Sequence, residues 1–374
     1  MNNWTERGPL SLMSWFASAA LFLVTFGVFA ESLVSELKSD EQIIFHPSLA
    51  WPSHESGWNV RMHGKIFEQE SVRLTLAVLR AALRLEGIQM SDDESALFKE
   101  RARLFFADNE RGHRVVARVG TEIFDLGESA PNGHFEREIH LAELPDENAS
   151  NPTVLNISAV LEEDDPRQFT GIALLMSTNG VSVVSDIDDT IKLSEVRDRQ
   201  VMLRRTFLEP FEAVPGMAEV YRRWATNGAS FHYVSASPWQ LFQPLHDFLG
   251  TNGFPPGSWS MKQWRIKDRT FDALFDKPEG YKVETIAPLL RQFPERRFVL
   301  VGDSGERDPE AYAALARKFP KQVVAIFIRD VTEQGADAER YRTNFATLPD
   351  DLWRIFHEPS EIAPLLPVNE VQRN

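Results

Sequence analysis

Three short segments carry residues able to do chemistry together. In Val183-Val184-Ser185-Asp186-Ile187-Asp188-Asp189-Thr190 an apolar run ends in three carboxylates and a hydroxyl. In Phe231-His232-Tyr233-Val234-Ser235-Ala236-Ser237 a second such run ends in hydroxyls, and in Phe298-Val299-Leu300-Val301-Gly302-Asp303-Ser304-Gly305-Glu306-Arg307-Asp308 a third ends in Gly-Asp with an aspartate five residues on. Carboxylates gathered at a buried strand end repel one another, and their pKa values rise unless a cation sits among them. Oxygens converging on one small site suit Mg²⁺, which takes few carboxylates and keeps water or phosphate oxygens as its other ligands. Asp186 and Asp188 point the same way if the chain there is extended. One carboxylate can then attack phosphorus while its neighbour moves the proton. The metal offsets the charge that would repel a carboxylate from an anionic phosphate. Asp-x-Asp-x-Thr alone is weak, because acidic loops after strands are common. The order is what strengthens it: a hydroxyl ends the second apolar strand, a lysine follows on a later helix, and Gly-Asp-x-x-x-x-Asp follows a third strand.

Those side chains need strand ends to hold them. Val181–Ser185, Phe231–Val234, Phe298–Val301 and Val323–Ile328 read as apolar strands. Pro215–Thr226, Pro238–Leu249, Lys282–Phe293 (kinked at Pro288) and Pro309–Phe319 read as helices. Alternating strands and helices imply a parallel sheet with helices on both faces. Ligands in such sheets bind at the carboxyl ends of the strands, where Asp186, Ser235 and Asp303 lie. Upstream the pattern differs. Trp58–Gly64, His113–Val119, Glu122–Leu126, His134–Leu141, Val154–Leu161 and Thr170–Leu175 read as short strands, with one helix over Val72–Leu85. This spacing predicts a small antiparallel sandwich. Arg103–Ala107 is predicted as a further strand, joined to the one at His113 by a hairpin across Asp108–Gly112, and residues 31–43 as a polar linker. The division expected is a leader over 1–30, a β-rich domain over 31–177 and an α/β domain over 178–374.

The ordered set is similar to the four motifs of the haloacid-dehalogenase (HAD) superfamily. Asp186 through Lys192, Pro210-Phe211, Val214-Pro215-Gly216-Met217, Ser237-Pro238-Trp239-Gln240-Leu241 and Gly302-Asp303-Ser304-Gly305-Glu306 with Asp308-Pro309-Glu310 more specifically resemble the catalytic domain of the actin-patch phosphatidate phosphatase family. The resemblance covers Val181 to Val331, and Asn132-Gly133-His134-Phe135 is similar, less specifically, to the region preceding that domain in bacterial members. It implies a HAD-like Rossmannoid sheet with a small cap. It implies Asp186 as the nucleophile and Asp188 as general acid and then base, with the Asp188 backbone carbonyl reaching the metal. Thr190 orients the loop, Ser235 bonds the phosphoryl group, and Lys282 partners the Asp186 and phosphate charges, with Lys277 the competing lysine. Asp303 is a Mg²⁺ ligand, and Asp308 a ligand or a carboxylate behind one. Ser237, Trp239 and Gln240 are expected beside the substrate, although Ser237 also suits a helix cap and Trp239 and Gln240 suit packing. Asp189 reads equally as a further ligand or a solvated turn residue, Glu306 as a partner of Lys282 or a cap, and His232 as a satisfied core histidine.

Charge and composition limit the classes. The chain carries a net charge of −15, which disfavours a general nucleic-acid binder. It has no cysteine, which excludes disulfides, thiolate zinc sites and cysteine nucleophiles. Its 374 residues suit two folded domains. From Gly8 to Ala30 no residue is charged, which predicts a cleaved signal peptide or an uncleaved membrane anchor, hence export or membrane attachment. A buried apolar helix is the alternative. Two basic stretches are candidate substrate or membrane contacts: Arg197 to Arg205, with Arg204 and Arg205, and Trp259 to Lys267, whose interleaved aromatics suit a lipid–water interface.

The function expected is a Mg²⁺-dependent phosphatase converting phosphatidate to diacylglycerol and phosphate through an aspartyl-phosphate, working at a membrane surface. The reaction type follows from the motifs and the lipid from the resemblance. A secreted phosphatase for soluble phosphomonoesters is the first alternative, disfavoured by the modest room for a cap. A tethered binding protein with an idle phosphatase domain is the second, and a nucleic-acid end phosphatase the last.

Overall fold

The computed structural model describes residues 33–68, 73–105, 107–145, 153–263 and 280–366. The expected leader, Lys277 and the basic residues from Trp264 to Lys267 lie outside the described residues. Among the described residues no helix is long and apolar enough to cross a membrane.

The first part is built on β1 (Glu41–His46), β2 (Ser48–Pro52), β3 (Trp58–Glu68), α1 (Arg73–Leu85), α2 (Glu94–Arg103), β4 (Asp108–Asn109), β5 (Arg114–Val119), β6 (Glu122–Glu128), β7 (His134–Leu141), β8 (Val154–Ala159) and β9 (Thr170–Leu175). Its nine strands form one hydrogen-bonded sheet in the order β1-β3-β2-β9-β8-β5-β6, with β4 and β7 also on β3. The long β3 organises it: β7 lies along one edge, while β1 and β2 share the other. Inward residues such as Val60, Met62, Val115, Phe135 and Leu155 form one core.

Two expectations fail here. Residues 31–43 are not simply a linker: the buried Ser35 hydroxyl donates to the Val116 carbonyl, and β1 begins at Glu41. The strand expected over Arg103–Ala107 is not found among its described residues, 103–105 and 107. Arg103 ends α2, β4 pairs with β3, and the hairpin is β5–β6. The apolar Leu104 and Phe105 mark instead the end of a helix whose Phe98 and Ala102 pack, with Phe105, against the second part of the chain.

That second part holds β10 (Gly180–Ser185), α3 (Arg199–Phe207), α4 (Met217–Thr226), β11 (Ser230–Pro238), α5 (Phe242–Thr251), β12 (Gly257–Lys262), α6 (Tyr281–Gln292), β13 (Arg296–Asp303), α7 (Asp308–Lys318), β14 (Val323–Arg329), α8 (Glu339–Phe345) and β15 (Trp353–Phe356). The strands form a parallel sheet in the order β12-β11-β10-β13-β14-β15. Alternate residues of each strand sort to opposite faces. Val183, Phe231, Val299 and Phe327 pack with α4, α5 and the α1–α2 pair, and Val184, Val234, Leu300 and Ile326 pack with α6, α7 and α8. Strands buried on both faces need continuous apolar runs, as seen in the sequence.

Candidate active site

The carboxyl ends of β10, β11 and β13 are adjacent in the sheet, so three remote sequence segments meet. Asp186 follows β10, and its backbone N–H donates to Val301 in β13 at 2.9 Å. Its carboxylate is fixed from two sides: Lys282 Nζ lies 2.9 Å from Oδ1, and Thr190 Oγ1 donates to Oδ2 at 3.2 Å. Lys282, in the first turn of α6, also bonds the Asp308 carboxylate and stands 3.4 Å from Glu306.

Asp186, Asp303 and Asp308 bring one carboxylate oxygen each within 4.8 Å of the others, and all three are buried. Burial drives the Asp186 and Asp303 carboxyls well above their usual range, against the opposing pull of Lys282. Burial likewise raises Asp308. Burial alone would lower the Lys282 ammonium, but Asp186, Asp308 and Glu306 hold it well above its usual value. One lysine facing this many buried carboxylates leaves the cluster short of positive charge. Asp303 makes the need specific: its Oδ1 accepts from the Gly305 and Glu306 N–H groups, while its buried Oδ2 has no hydrogen-bond partner among the described residues. An all-oxygen set of this kind suits a divalent ion such as Mg²⁺, which Asp186, Asp303 and Asp308 would hold. Gly302 is what lets Asp308 in: a Cβ there would lie 2.1 Å from Asp308 Oδ2.

Asp188 is held apart from that cluster. Its Oδ2 accepts from Ser237 at 2.9 Å and Ser235 at 3.2 Å, and its Oδ1 from Ser194 at 2.7 Å, with Lys192 Nζ at 2.9 Å. Ser237 does not cap the following helix. Asp189 is neither a ligand nor solvated: at φ 57° it turns its buried carboxylate inward to accept the N–H groups of Ser194, Glu195 and Val196. Lys192 and Ser194 are the residues that sequence reasoning missed. Lys192 stood in the motif, but only the turn closed by Asp189 brings it and Ser194 to Asp188.

A cleft of about 570 Å³ opens over Lys282 and Glu306, rimmed by Arg197, Arg199, Arg307 and Arg340. Arg204 and Arg205, expected there, are absent from its lining. On the C-terminal half of α3 they pair instead with Glu94 and Glu209, and with Glu195 and Glu212. Trp239 is buried against His46, His63 and Phe242 rather than open to the cleft, and Gln240 beside it is half-buried. Trp259 and Met261 are buried in β12 and offer no lipid surface. His232 is a satisfied core residue, with its ring nitrogens on Ser258 and Ser182.

Residues 181–330 match the sequence model of the phosphatidate phosphatase APP1 catalytic domain. Over 177 residues the chain is 37% identical to phosphatidate phosphatase APP1 of Saccharomyces cerevisiae, covering 46% of this chain and 30% of the yeast protein. It is 33% identical over 161 residues to an uncharacterised protein of Schizosaccharomyces pombe, covering 42% of this chain and 26% of that one. The chain thus spans less than a third of the length of either relative. Among solved structures it overlaps a D,D-heptose 1,7-bisphosphate phosphatase of B. bronchiseptica at 16% identity, covering 50% of this chain and 97% of that one. The TM-score is 0.30, too loose an overlap to argue from.

Proposed function

We propose that this chain, whose residues 181–330 belong to the phosphatidate phosphatase APP1 catalytic-domain family, is a Mg²⁺-dependent phosphatase that hydrolyses phosphatidate to diacylglycerol and phosphate. The observation that carries the reaction is the pairing of two differently held carboxylates, Asp186 on Lys282 and Thr190, and Asp188 on Ser235 and Ser237. When bound at Asp186, Asp303 and Asp308, Mg²⁺ supplies charge neutralisation for the phosphoryl oxygens.

Asp186 attacks phosphorus and forms an acyl phosphate as the bond to the lipid oxygen breaks. Asp188, protonated for this step, donates its proton to the departing alkoxide. Its carboxylate then takes a proton from the water that attacks the acyl phosphate, and phosphate leaves with Asp186 restored. Lys282 aims Asp186 and opposes the rise that burial imposes on its carboxyl, and Ser235 and Ser237 fix the Asp188 carboxylate.

Four arginines rim the cleft, with Arg199 paired to Glu86 and Arg340 to Glu310, and an anionic head group would compete for them. The proposed membrane contact lies beside it. Helix α1 exposes Val78 and Leu85, the latter at 89%, and reaches the rim through the Glu86–Arg199 ion pair at 3.1 Å. Leu85→Glu should weaken activity on vesicles and spare soluble esters. The uncharged stretch from Gly8 to Ala30 is proposed to export or anchor the chain, which the mass of the mature N-terminus tests.

The deciding experiment measures phosphate release from phosphatidate in mixed micelles and from p-nitrophenyl phosphate, with Mg²⁺, EDTA and Asp186→Asn controls. Release from phosphatidate that requires both Mg²⁺ and Asp186 supports the reading. Release only from the soluble ester moves the function to a scavenging phosphatase. Silence of folded protein on both favours a binding role.

A further inference from the structure

Outside the catalytic cluster, the described residues hold a histidine group built as if for a ligand. His46 ends β1 and pairs directly across the ladder with His63 of β3. His63 lies opposite Glu136 on β7, and His134 opposite Lys65, so all three histidines share one face of the sheet. One ring nitrogen from each lies within 4.8 Å of the others. The catalytic half covers them with Trp239, whose ring centroid is 4.2 Å from that of His46 and 4.8 Å from that of His63. His63 Nε2 and His134 Nδ1 are 3.0 Å apart and share one hydrogen bond. His46 is 2% exposed, yet neither of its ring nitrogens has a hydrogen-bond partner among the described residues.

Buried polar groups are ordinarily satisfied, and a pair of orphaned nitrogens on one ring calls for an explanation. Simple packing does not give one: the aromatic contacts to Trp239 and Phe242 would serve a phenylalanine as well. We propose that His46, His63 and His134 form a second metal site, for a borderline-soft divalent ion of the Zn²⁺ type, at the junction of the β-rich sheet and the catalytic domain. Neutral imidazoles are the preferred donors for such ions, and three of them leave a fourth position for water or an anion. The three rings are kept neutral by burial, which holds His63 down at about 4, His134 at about 2 and His46 well below the ordinary value.

The charged groups nearby set the opposing force. Arg61 and Lys65 share the sheet face. Burial brings the Lys65 amine down to about 8, and its Nζ lies over the Phe67 ring, 5.7 Å from the centroid. Glu136, opposite His63, pairs with Arg61 at 3.5 Å, so the two charges offset each other beside the cluster. Glu136 and His63 both line a cavity of about 220 Å³ that also reaches Trp239, which provides a route in. A metal there would tie β1, β3 and β7 together beside Trp239, which follows the end of β11 that carries Ser235 and Ser237. It would act as a structural clamp, separate from the oxygen-only cluster at Asp303.

The test uses the full chain, stripped with chelator and titrated with Co²⁺ and Zn²⁺. Four-coordinate Co²⁺ with imidazole ligands absorbs strongly in the visible, whereas Co²⁺ in an oxygen-only octahedral site absorbs weakly. The expected result is a strong spectrum saturating at one equivalent and displaced by Zn²⁺. It should be kept in Asp303→Asn. In His46→Ala and His134→Ala the affinity should fall at least about 100-fold, since losing even an outer-shell partner costs 10–100-fold. Folded wild-type protein giving no such spectrum overturns the proposal, as does a spectrum lost in Asp303→Asn but kept in the histidine variants. If the alanine variants do not fold, X-ray absorption on the Zn²⁺-loaded wild type decides. Imidazole nitrogens at about 2.0–2.1 Å support the site, and an oxygen-only shell overturns it.

Discussion

Lys282 Nζ stands 2.9 Å from Asp186 Oδ1, in a site where both side chains are almost wholly buried. The same ammonium touches Asp308 and approaches Glu306, so three carboxylates share it. Lys282→Met should therefore do two things. Turnover of p-nitrophenyl phosphate should fall by about 10³, the scale for losing a preorganised charge at a reacting centre. Stability should fall by roughly 3–5 kcal/mol, because buried charges lose their partner. Added Mg²⁺ should restore part of the stability and little of the activity. Denaturant titrations with and without Mg²⁺ check the first half, and steady-state rates the second.

Asp188 is held by Ser194, Ser235, Ser237 and Lys192, contacts that fix where its carboxylate stands. Asp188→Asn should slow hydrolysis of alkyl phosphates by about 10²–10⁴. With p-nitrophenyl phosphate the leaving group needs no proton, so the first step should persist and the acyl phosphate should accumulate. A burst of p-nitrophenol followed by slow turnover is the expected trace. Equal loss on both substrates with no burst would remove Asp188 from the general-acid role.

Gly302 faces the Asp308 carboxylate so closely that a Cβ would sit 2.1 Å from its Oδ2 and 2.7 Å from its Cβ. The Cβ cannot swing aside, and Oδ2, although the end of the side chain, is held by the Asp303 N–H. Gly302→Ala should push Asp308 away from Lys282 and from the Asp303 N–H, which it accepts at 3.1 Å. The variant should require at least about tenfold more Mg²⁺ for half-maximal activity, on the scale of losing a metal's supporting partner. A Mg²⁺ titration of the rate reads it directly.

The parallel sheet was legible because β10, β11, β13 and β14 are buried on both faces and read as unbroken apolar runs ending in the reactive residues. What escaped depended on partners distant in sequence. Arg204 and Arg205 announce positive charge, but nothing local reveals that Glu94, on α2, claims Arg204. The helix α2 was hidden because Phe98 and Ala102 bury a narrow stripe among charged residues. Trp259 to Lys262 looked interfacial for its charge, yet its alternate Trp259 and Met261 are the buried side of an edge strand. His46, His63 and His134 stand on three strands and are unremarkable singly. Only the register of β1, β3 and β7 makes them a cluster.

His232 supplies a prediction about stability rather than catalysis. It is fully enclosed between Ser182 and Ser258, and burial, helped by the charge of Arg296, lowers its pKa to about 3. In the unfolded chain the imidazole titrates near 6.5. Between those values the unfolded state binds a proton that the native state does not. Stability therefore falls as pH falls from about 6.5 towards 3, at about 1.4 kcal/mol per pH unit for this residue, and is unaffected by it above 6.5. His232→Asn keeps a donor and an acceptor for the two serines and removes the titration. It should be less stable than wild type at pH 7.5, and the gap should narrow by about 2 kcal/mol by pH 5. Urea midpoints for the two proteins at both pH values make the comparison, and a gap that stays constant would mean that the buried imidazole accepts its proton without opening the fold.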